Sequence, residues 1–166
     1  GYAFGEASYQ FQSAFYNTLL PIWAIGIVKT ISNIGAAFSF HFSGKILRKY
    51  NGLKILIVDS IYNRIINIIS TAFPTILSPL LMSTTSVLYG ITSVTKNTLM
   101  QKEFTNEQRA TMGSLNSFAG SIVFGIFAFL LGLVADKVTP SKALLGMQFF
   151  QMINLWFYWK LFKHKD

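Results

Sequence analysis

Long apolar stretches alternate with short polar connections along almost the whole chain. Five stretches are well defined, and a weaker stretch of mixed apolar and polar residues precedes them. The six segments run over residues 1–18, 21–44, 53–73, 75–97, 111–134 and 141–161. The well-defined stretches are near the roughly 20 residues that an α-helix needs to cross about 30 Å of hydrocarbon. None of them alternates with a period of two, so strands are a poor alternative.

Prolines and capping residues mark the predicted helix boundaries. Pro21 suits the first turn of the second helix, where a missing N–H costs nothing. Pro74 and Pro79 bracket an uncharged turn between the third and fourth helices. Thr105 and Gln108 have the spacing of a capping box that opens the fifth helix. The pattern predicts an all-α fold, a polytopic transmembrane helix bundle of six segments.

Composition supports a membrane environment. Of the 166 residues, 52% are hydrophobic and only 12% are charged, whereas a soluble domain carries about 25% charge. A surface with so little charge cannot face water over most of its area. The chain does not begin with methionine, and we interpret it as part of a longer protein with the first helix truncated at Gly1.

The chemistry-bearing residues narrow the function further. The net charge of +8 is divided among short clusters at the connections, which disfavours a nucleic-acid-binding face. The chain has no cysteine, and its two histidines lie far apart without acidic companions. We therefore expect no metal site and no cofactor. No Ser/His/Asp arrangement, phosphate-binding glycine loop or HExxH motif is present, so we expect no enzyme activity.

Basic residues follow alternate connections between the segments. The connections at 18–21 and 73–79 carry no charge, whereas the second and fourth connections and the C-terminal tail are basic. The basic residues concerned are Lys45, Arg48, Lys49, Lys54, Lys96, Lys102, Arg109, Lys160, Lys163 and Lys165. Because basic loops are retained on the cytoplasmic side, we expect the C-terminus to be cytoplasmic. The expected location is the plasma membrane.

Four ionisable residues interrupt the apolar segments: Glu6, Lys29, Asp59 and Arg64. A charge at the bilayer centre is costly, so each is a candidate for function. Structural alternatives remain for them. Asp59 can lie near the interface, Arg64 can sit in a polar packing seam, and the long stem of Lys29 can extend outwards to water.

Two helices carry stripes of a distinct composition. In the fourth segment, Thr85, Tyr89, Thr92 and Lys96 share one face. A polar stripe in a membrane helix must face protein or water, although threonine hydroxyls can also bond back to their own helix. Tyr89 is the best candidate for a cavity wall.

In the fifth segment, small residues recur every four positions, at Gly113, Ser117, Ser121 and Gly125. Such a stripe favours close helix packing, with a solute contact by Asn116 or Ser117 as the alternative. The candidate solute-binding residues of the whole chain are Glu6, Tyr9, Gln10, Lys29, Asn33, Tyr89 and Asn116.

Three local patterns resemble the C-terminal half of a major facilitator superfamily transporter. The first joins Glu6-x-x-Tyr9-Gln10 to the stretch 20–26, and the second joins 97–101 to 107–114. The third is the Gly-x-x-x-Asp-basic sequence at 132–137. The patterns occur in the family's order and span essentially the whole chain. The loop at 44–49 departs from the signature, because it has arginine where the family places aspartate.

The resemblance implies a twelve-helix transporter whose two halves enclose a central cavity and rock between two states. It implies a small solute as substrate, often with a coupled proton, and a missing N-terminal half as partner. The second, fourth and fifth segments and the truncated first would line the cavity, with the third and sixth as outer supports. The expected function is secondary transport, for example by a drug or metabolite exporter. The alternative is a six-helix membrane scaffold or interaction protein that transports nothing.

Overall fold

The computed structural model describes residues 2–102 and 104–163, and these residues are almost entirely helical. The helices are α1 (Tyr2–Tyr16), α2 (Ile22–Lys49), α3 (Gly52–Ala72), α4 (Ser78–Ser83), α5 (Tyr89–Lys102), α6 (Gln108–Lys137) and α7 (Pro140–Lys163). A 3₁₀ helix, Thr84–Leu88, joins α4 to α5 without a gap. No strand occurs in the described ranges, so the all-α prediction is confirmed. Gly1 of the first predicted segment and Lys165 of the basic tail lie outside them.

The helix ends differ most from the predicted segments where charged residues continue a helix. Helix α2 was expected to end near residue 44, but it runs to Lys49, because Lys45–Lys49 contains no helix-breaking residue. Helix α6 extends beyond 111–134 at both ends. Before it, the N–H of Thr105 donates to Gln108 Oε1 at 3.4 Å, which is one of the two bonds of the expected capping box.

The fourth predicted segment is interrupted, which its apolar pattern did not indicate. Four consecutive hydroxyl side chains donate to the carbonyl three residues earlier, each at 2.7 Å: Ser83, Thr84, Thr85 and Ser86. Such back-bonding competes with the regular hydrogen bonds of an α-helix. The 3₁₀ helix occupies this same stretch, which leaves α4 and α5 as separate α-helices.

Three helices are long and apolar enough to cross a membrane: α2, α3 and α6. In α6, only Leu131 is fully buried against the rest of the described chain, and many large apolar side chains, such as Phe118, Ile126 and Phe129, are exposed. Hydrocarbon is the medium that accommodates such a surface. Among the described residues, α2, α3 and α6 are therefore candidate membrane spans by length and composition, and the crossing of a membrane by the six segments stays a prediction.

The helices pack in pairs around a polar centre. Helix α3 lies along α7, α2 lies along α5 and the 3₁₀ helix, and α1 lies between α6 and α7. An apolar cluster that includes Phe15, Val28, Met82 and Leu144 joins α1, α2, α4 and α7. Hydroxyl groups link other pairs, since Ser141 Oγ donates to the Thr71 carbonyl.

The small-residue stripe of α6 is not a packing face among the described residues. Nothing lies within 4 Å of a Cβ built on Gly113 or Gly125, and Ser117 and Ser121 are exposed. Helix α6 instead meets α1 and α7 through a different set of side chains that includes Phe127 and Leu131. Within this chain the packing prediction is wrong, because those larger side chains provide the contact area.

The closest backbone approach joins α2 to α5 at Gly90. A Cβ at this position would lie 2.3 Å from the backbone nitrogen of Phe40 and 2.7 Å from the carbonyl carbon of Ser39. Next to it, the N–H of Ile91 donates to Ser39 Oγ at 3.1 Å. Ser39 therefore satisfies an N–H in the first turn of α5, where a helix lacks its own acceptors. Only glycine allows this crossing.

We expect Gly90→Ala to destabilise the protein by about 1–3 kcal/mol, because the added methyl group must displace backbone rather than a flexible side chain. Thermal unfolding in detergent micelles, followed by circular dichroism, measures the effect. Gly44→Ala in α2 is the matched control, since nothing lies within 4 Å of a Cβ there. Equal melting temperatures for the two variants would contradict the close crossing.

Candidate functional site

The centre of the bundle holds a cavity of about 390 Å³. Every described helix except α6 contributes to its wall. The lining residues with amide side chains are Gln12, Asn33, Asn63, Asn67, Gln148 and Gln151. The lining residues with ionisable side chains other than tyrosine are Glu6, Asp59, Arg64 and Lys96. Few apolar side chains reach the cavity, so its interior is polar while the outer surface of the bundle is apolar.

The polar stripe predicted in the fourth segment forms one wall. Thr85, Tyr89, Thr92 and Lys96 all line the cavity, as expected for residues on one face. Tyr89 packs edge-on against Phe40 of α2, with ring centroids 5.9 Å apart. This contact lies beside the close crossing at Gly90, which fixes the position of the tyrosine ring relative to α2.

A charged cluster occupies the side of the cavity formed by α3, α5 and α7. The Asp59 carboxylate accepts a hydrogen bond from Asn63 Nδ2 at 2.7 Å, and it interacts electrostatically with Lys96 and Arg64. The Lys96 ammonium lies 5.9 Å from the centre of the Tyr158 ring. We call Asp59, Arg64 and Lys96 the cationic cluster, because two of its three charges are positive.

Helix α7 supplies the groups that tie this wall together. Arg64 Nη1 donates to Gln148 Oε1, and Gln148 Nε2 donates to the Leu144 carbonyl at 3.2 Å within α7. One turn further, Gln151 Nε2 donates to Ser8 Oγ and to the Phe4 carbonyl of α1. The two glutamines are buried, and they connect α7 to α3 on one side and to α1 on the other.

The residues assigned on α1 and α2 divide between the cavity and its outside. Glu6 and Tyr9 line the cavity, whereas Gln10 is exposed and donates to Glu6 Oε1 at 2.8 Å. Lys29 is not part of the lining. Its ammonium donates to the Tyr9 carbonyl at 2.9 Å and lies 3.6 Å from the centre of the Tyr9 ring. The Lys29 side chain therefore binds α1 and neither enters the cavity nor extends outwards to water.

The remaining sequence-assigned residues are also divided. Asn33 and Tyr89 line the cavity, but Asn116 is exposed on α6, the helix that contributes nothing to the wall. The structure thus brings Glu6, Tyr9, Asn33 and Tyr89 together and leaves Gln10, Lys29 and Asn116 outside. The last three share a helix with lining residues or with the small-residue stripe, but they point along other faces.

Several cavity residues were absent from the predicted solute-binding set, although Asp59 and Arg64 were among the candidates for function. Five come from α3, which the family resemblance assigned to an outer support: Asp59, Ser60, Asn63, Arg64 and Asn67. The expectation concerned a cavity between two halves and stays a prediction, because the cavity seen here lies within the six segments themselves. Three more come from α7: Gln148, Gln151 and Tyr158. Their spacing of three and seven places them on one helical face, so the argument applied to the fourth segment could have found them.

Comparison with known proteins identifies no relative. No protein-family model, no curated protein and no solved structure matches this chain.

Neighbouring residues of α2 differ in their access to water, because one lines the cavity and the next lies on the outer surface. We expect a cysteine at Asn33, which lines the cavity, to react much faster with a water-soluble methanethiosulfonate reagent than one at Ile34. The Ile34 side chain is 52% exposed on the outer surface, where lipid excludes the reagent. The natural chain has no cysteine, so the background is low. Labelling rates are measured on the membrane-embedded protein. Equal rates at the two positions would rule out a water-filled cavity.

Proposed function

We propose that this chain is the C-terminal half of a secondary transporter of the major facilitator type, which moves a small polar solute. The observation that carries the proposal is that polar side chains of α1, α2 and α5, the segments that the resemblance places around the transport path, line a cavity inside an apolar bundle. Within hydrocarbon, polar and charged side chains are costly unless they serve each other or a substrate pathway. A bundle that only scaffolds other proteins has no need for an interior lined by charges, amides and hydroxyls.

The chemistry of the wall supports a polar solute over an apolar drug. Pockets for drug-sized ligands are predominantly hydrophobic and aromatic, with few polar groups. Here most lining residues carry polar groups: in the described ranges, Ala36 and Met82 are the lining residues with aliphatic or thioether side chains, and the aromatic rings are those of tyrosines, which bear a hydroxyl group. Hydroxyl, amide and charged groups replace the hydration shell of a solute such as a metabolite. We therefore propose a metabolite rather than a drug as substrate.

Two further features support alternating access. The 3₁₀ helix Thr84–Leu88 interrupts the helix that carries one wall, and such interruptions often mark hinges. The uncovered stripe of small residues on α6 suits close contact with a helix of a second half. In this arrangement the remaining predicted segments also cross the membrane.

A tryptophan at Ala36 should block transport, because Ala36 lines the cavity and a large ring there would occupy it. We expect Ala36→Trp to lose most of the solute flux, while Ala37→Trp retains it, since Ala37 faces outwards. Flux is measured with labelled sugars, amino acids and organic acids in vesicles that contain the protein at its full natural length. Size-exclusion profiles check that both variants fold.

Equal flux in the two tryptophan variants would show that the cavity is not part of the transport path. If no polar solute is moved by the wild-type protein, the transporter proposal fails and the membrane scaffold becomes the better explanation. The pair of variants differs only in which side of α2 receives the ring, so general effects of a bulky residue cancel.

The proposed orientation places the C-terminus in the cytoplasm and the protein in the plasma membrane. Single cysteines at Asn51 and Asn106 should then resist an impermeant thiol reagent in intact cells, while a cysteine at Thr75 should react. The physical reason is the retention of basic connections on the cytoplasmic side. Permeabilised cells provide the control, because all three positions should be labelled there. Labelling of Asn51 and Thr75 to the same extent in intact cells would refute the orientation.

A further inference from the structure

We propose that Arg64 and Lys96 bind the oxyanion of a small solute, either a carboxylate or a phosphate, inside the cavity. This inference rests on the proposed function, because it assigns the substrate class of the same cavity. It differs from the sequence-based expectation, which placed the functional charges at Glu6 and Lys29. The argument depends on the charge balance of the cavity and on the hydrogen-bond donors that the protein leaves uncommitted.

The charges that line the cavity cancel in number but are unevenly distributed, with Glu6 on α1 and Asp59, Arg64 and Lys96 on α3 and α5. On the α1 side, the Glu6 carboxylate accepts a hydrogen bond from Gln10, while Lys29, outside the lining, donates to the Tyr9 carbonyl. On the opposite side, the cationic cluster sets Arg64 and Lys96 against Asp59 alone. On this side of the cavity, one positive charge is therefore in excess among the described residues. An unbalanced charge removed from bulk water favours a counter-ion, and a solute with one negative charge supplies it.

The hydrogen-bond inventory points to the same groups. Arg64 has five N–H donors, and among the described residues only Nη1 has an acceptor, Gln148 Oε1. Lys96 has three donors. Its ammonium faces the Tyr158 ring at 5.9 Å and interacts with Asp59, but it donates no hydrogen bond in the described part of the chain. Both cations thus keep donors that a ligand can use.

The Asp59 carboxylate is the group that a cationic ligand would need, and it is already engaged. Asn63 Nδ2 donates to Oδ1 at 2.7 Å, and both cations of the cluster lie within its electrostatic reach. A planar guanidinium beside an ammonium is suited to two oxygens of one oxyanion, since arginine binds carboxylate and phosphate through paired N–H groups. Asp59 then offsets one of the two positive charges instead of binding the solute.

The remaining wall suits a hydroxylated solute. Asn67, Thr92 and Asn33 present amide and hydroxyl groups to the same cavity. Thr92 already donates to the Tyr89 carbonyl and Asn67 to the Asn63 carbonyl, so Thr92 can accept from alcohol groups, whereas the two amides can also donate. The volume of about 390 Å³ accommodates a molecule of the size of a small sugar acid. The arrangement assigns the oxyanion to the cationic cluster and the neutral part of the solute to the amide-rich wall.

The test is direct binding to the full chain in lipid nanodiscs, measured by isothermal titration calorimetry. The probes are gluconate, its neutral counterpart gluconamide, inorganic phosphate and choline. We expect saturable binding of gluconate or phosphate, with neither gluconamide nor choline bound. Gluconate and phosphate together distinguish an organic carboxylate from a phosphate as the natural oxyanion. Binding of choline, or equal binding of gluconate and gluconamide, would overturn the proposal.

Variants identify the residues responsible. Lys96→Met and Arg64→Gln should each weaken oxyanion binding at least about tenfold, as expected when a charge-assisted hydrogen bond is lost. Lys45→Met is the matched control, because it removes the same charge from an exposed position of α2 outside the cavity. Asp59→Asn acts in the opposite direction and should tighten binding. Weaker binding in Asp59→Asn, or no effect of Lys96→Met, would refute the assignment.

Failure of this inference is distinguishable from failure of the proposed function. Flux of a neutral polar solute that is insensitive to Lys96→Met would support the transporter and reject the oxyanion site. Oxyanion binding that depends on Lys96, without flux of the bound solute by the full-length protein, would support the site and reject transport.

Discussion

The rest of the structure depends on the need to satisfy polar groups inside an apolar bundle. Where a membrane surrounds a protein, no water is available for unpaired donors and acceptors, so the protein must supply their partners. This chain does so locally wherever it can. Thr71, Thr95 and Ser43 donate to carbonyls of their own helices, and Ser70 Oγ is the only buried side-chain polar atom without a partner in the described residues. Polar groups too large for such local bonds gather at the central cavity.

Periodicity was sufficient to predict the helices, because an apolar stretch of membrane length has few alternatives to a helix. It also predicted the wall formed by Tyr89, Thr92 and Lys96, since residues of one helical face remain together whatever surrounds the helix. It could not predict the break before Tyr89. That break arises from four consecutive hydroxyls, whose effect on the backbone depends on the orientation each side chain adopts.

The assignments of Lys29, Arg64 and Gln148 differ between sequence and structure for one physical reason: each depends on a partner from another helix. Lys29 was assigned to the cavity because a charge within a span must meet something polar, and that reasoning was sound, but its partner is the Tyr9 carbonyl and ring. The sequence shows that a charge within an apolar segment needs a polar partner, but it does not show which group that partner is. Conversely, Arg64 and Gln148 are 84 positions apart, so their hydrogen bond could not be predicted without knowing that α3 packs against α7. The family resemblance directed attention away from both helices.

The 3₁₀ stretch also determines the direction in which α5 faces. A 3₁₀ helix advances roughly 120° per residue and an α-helix roughly 100°, so five residues accumulate a rotational offset of roughly 100°. The same five residues lengthen the rod by roughly 2.5 Å relative to an α-helix. Thr92 and Lys96 therefore point into the bundle with the azimuth that Thr84–Leu88 imparts. The rotation that this stretch introduces therefore decides whether the Lys96 side chain faces the cavity or the outer surface of the bundle.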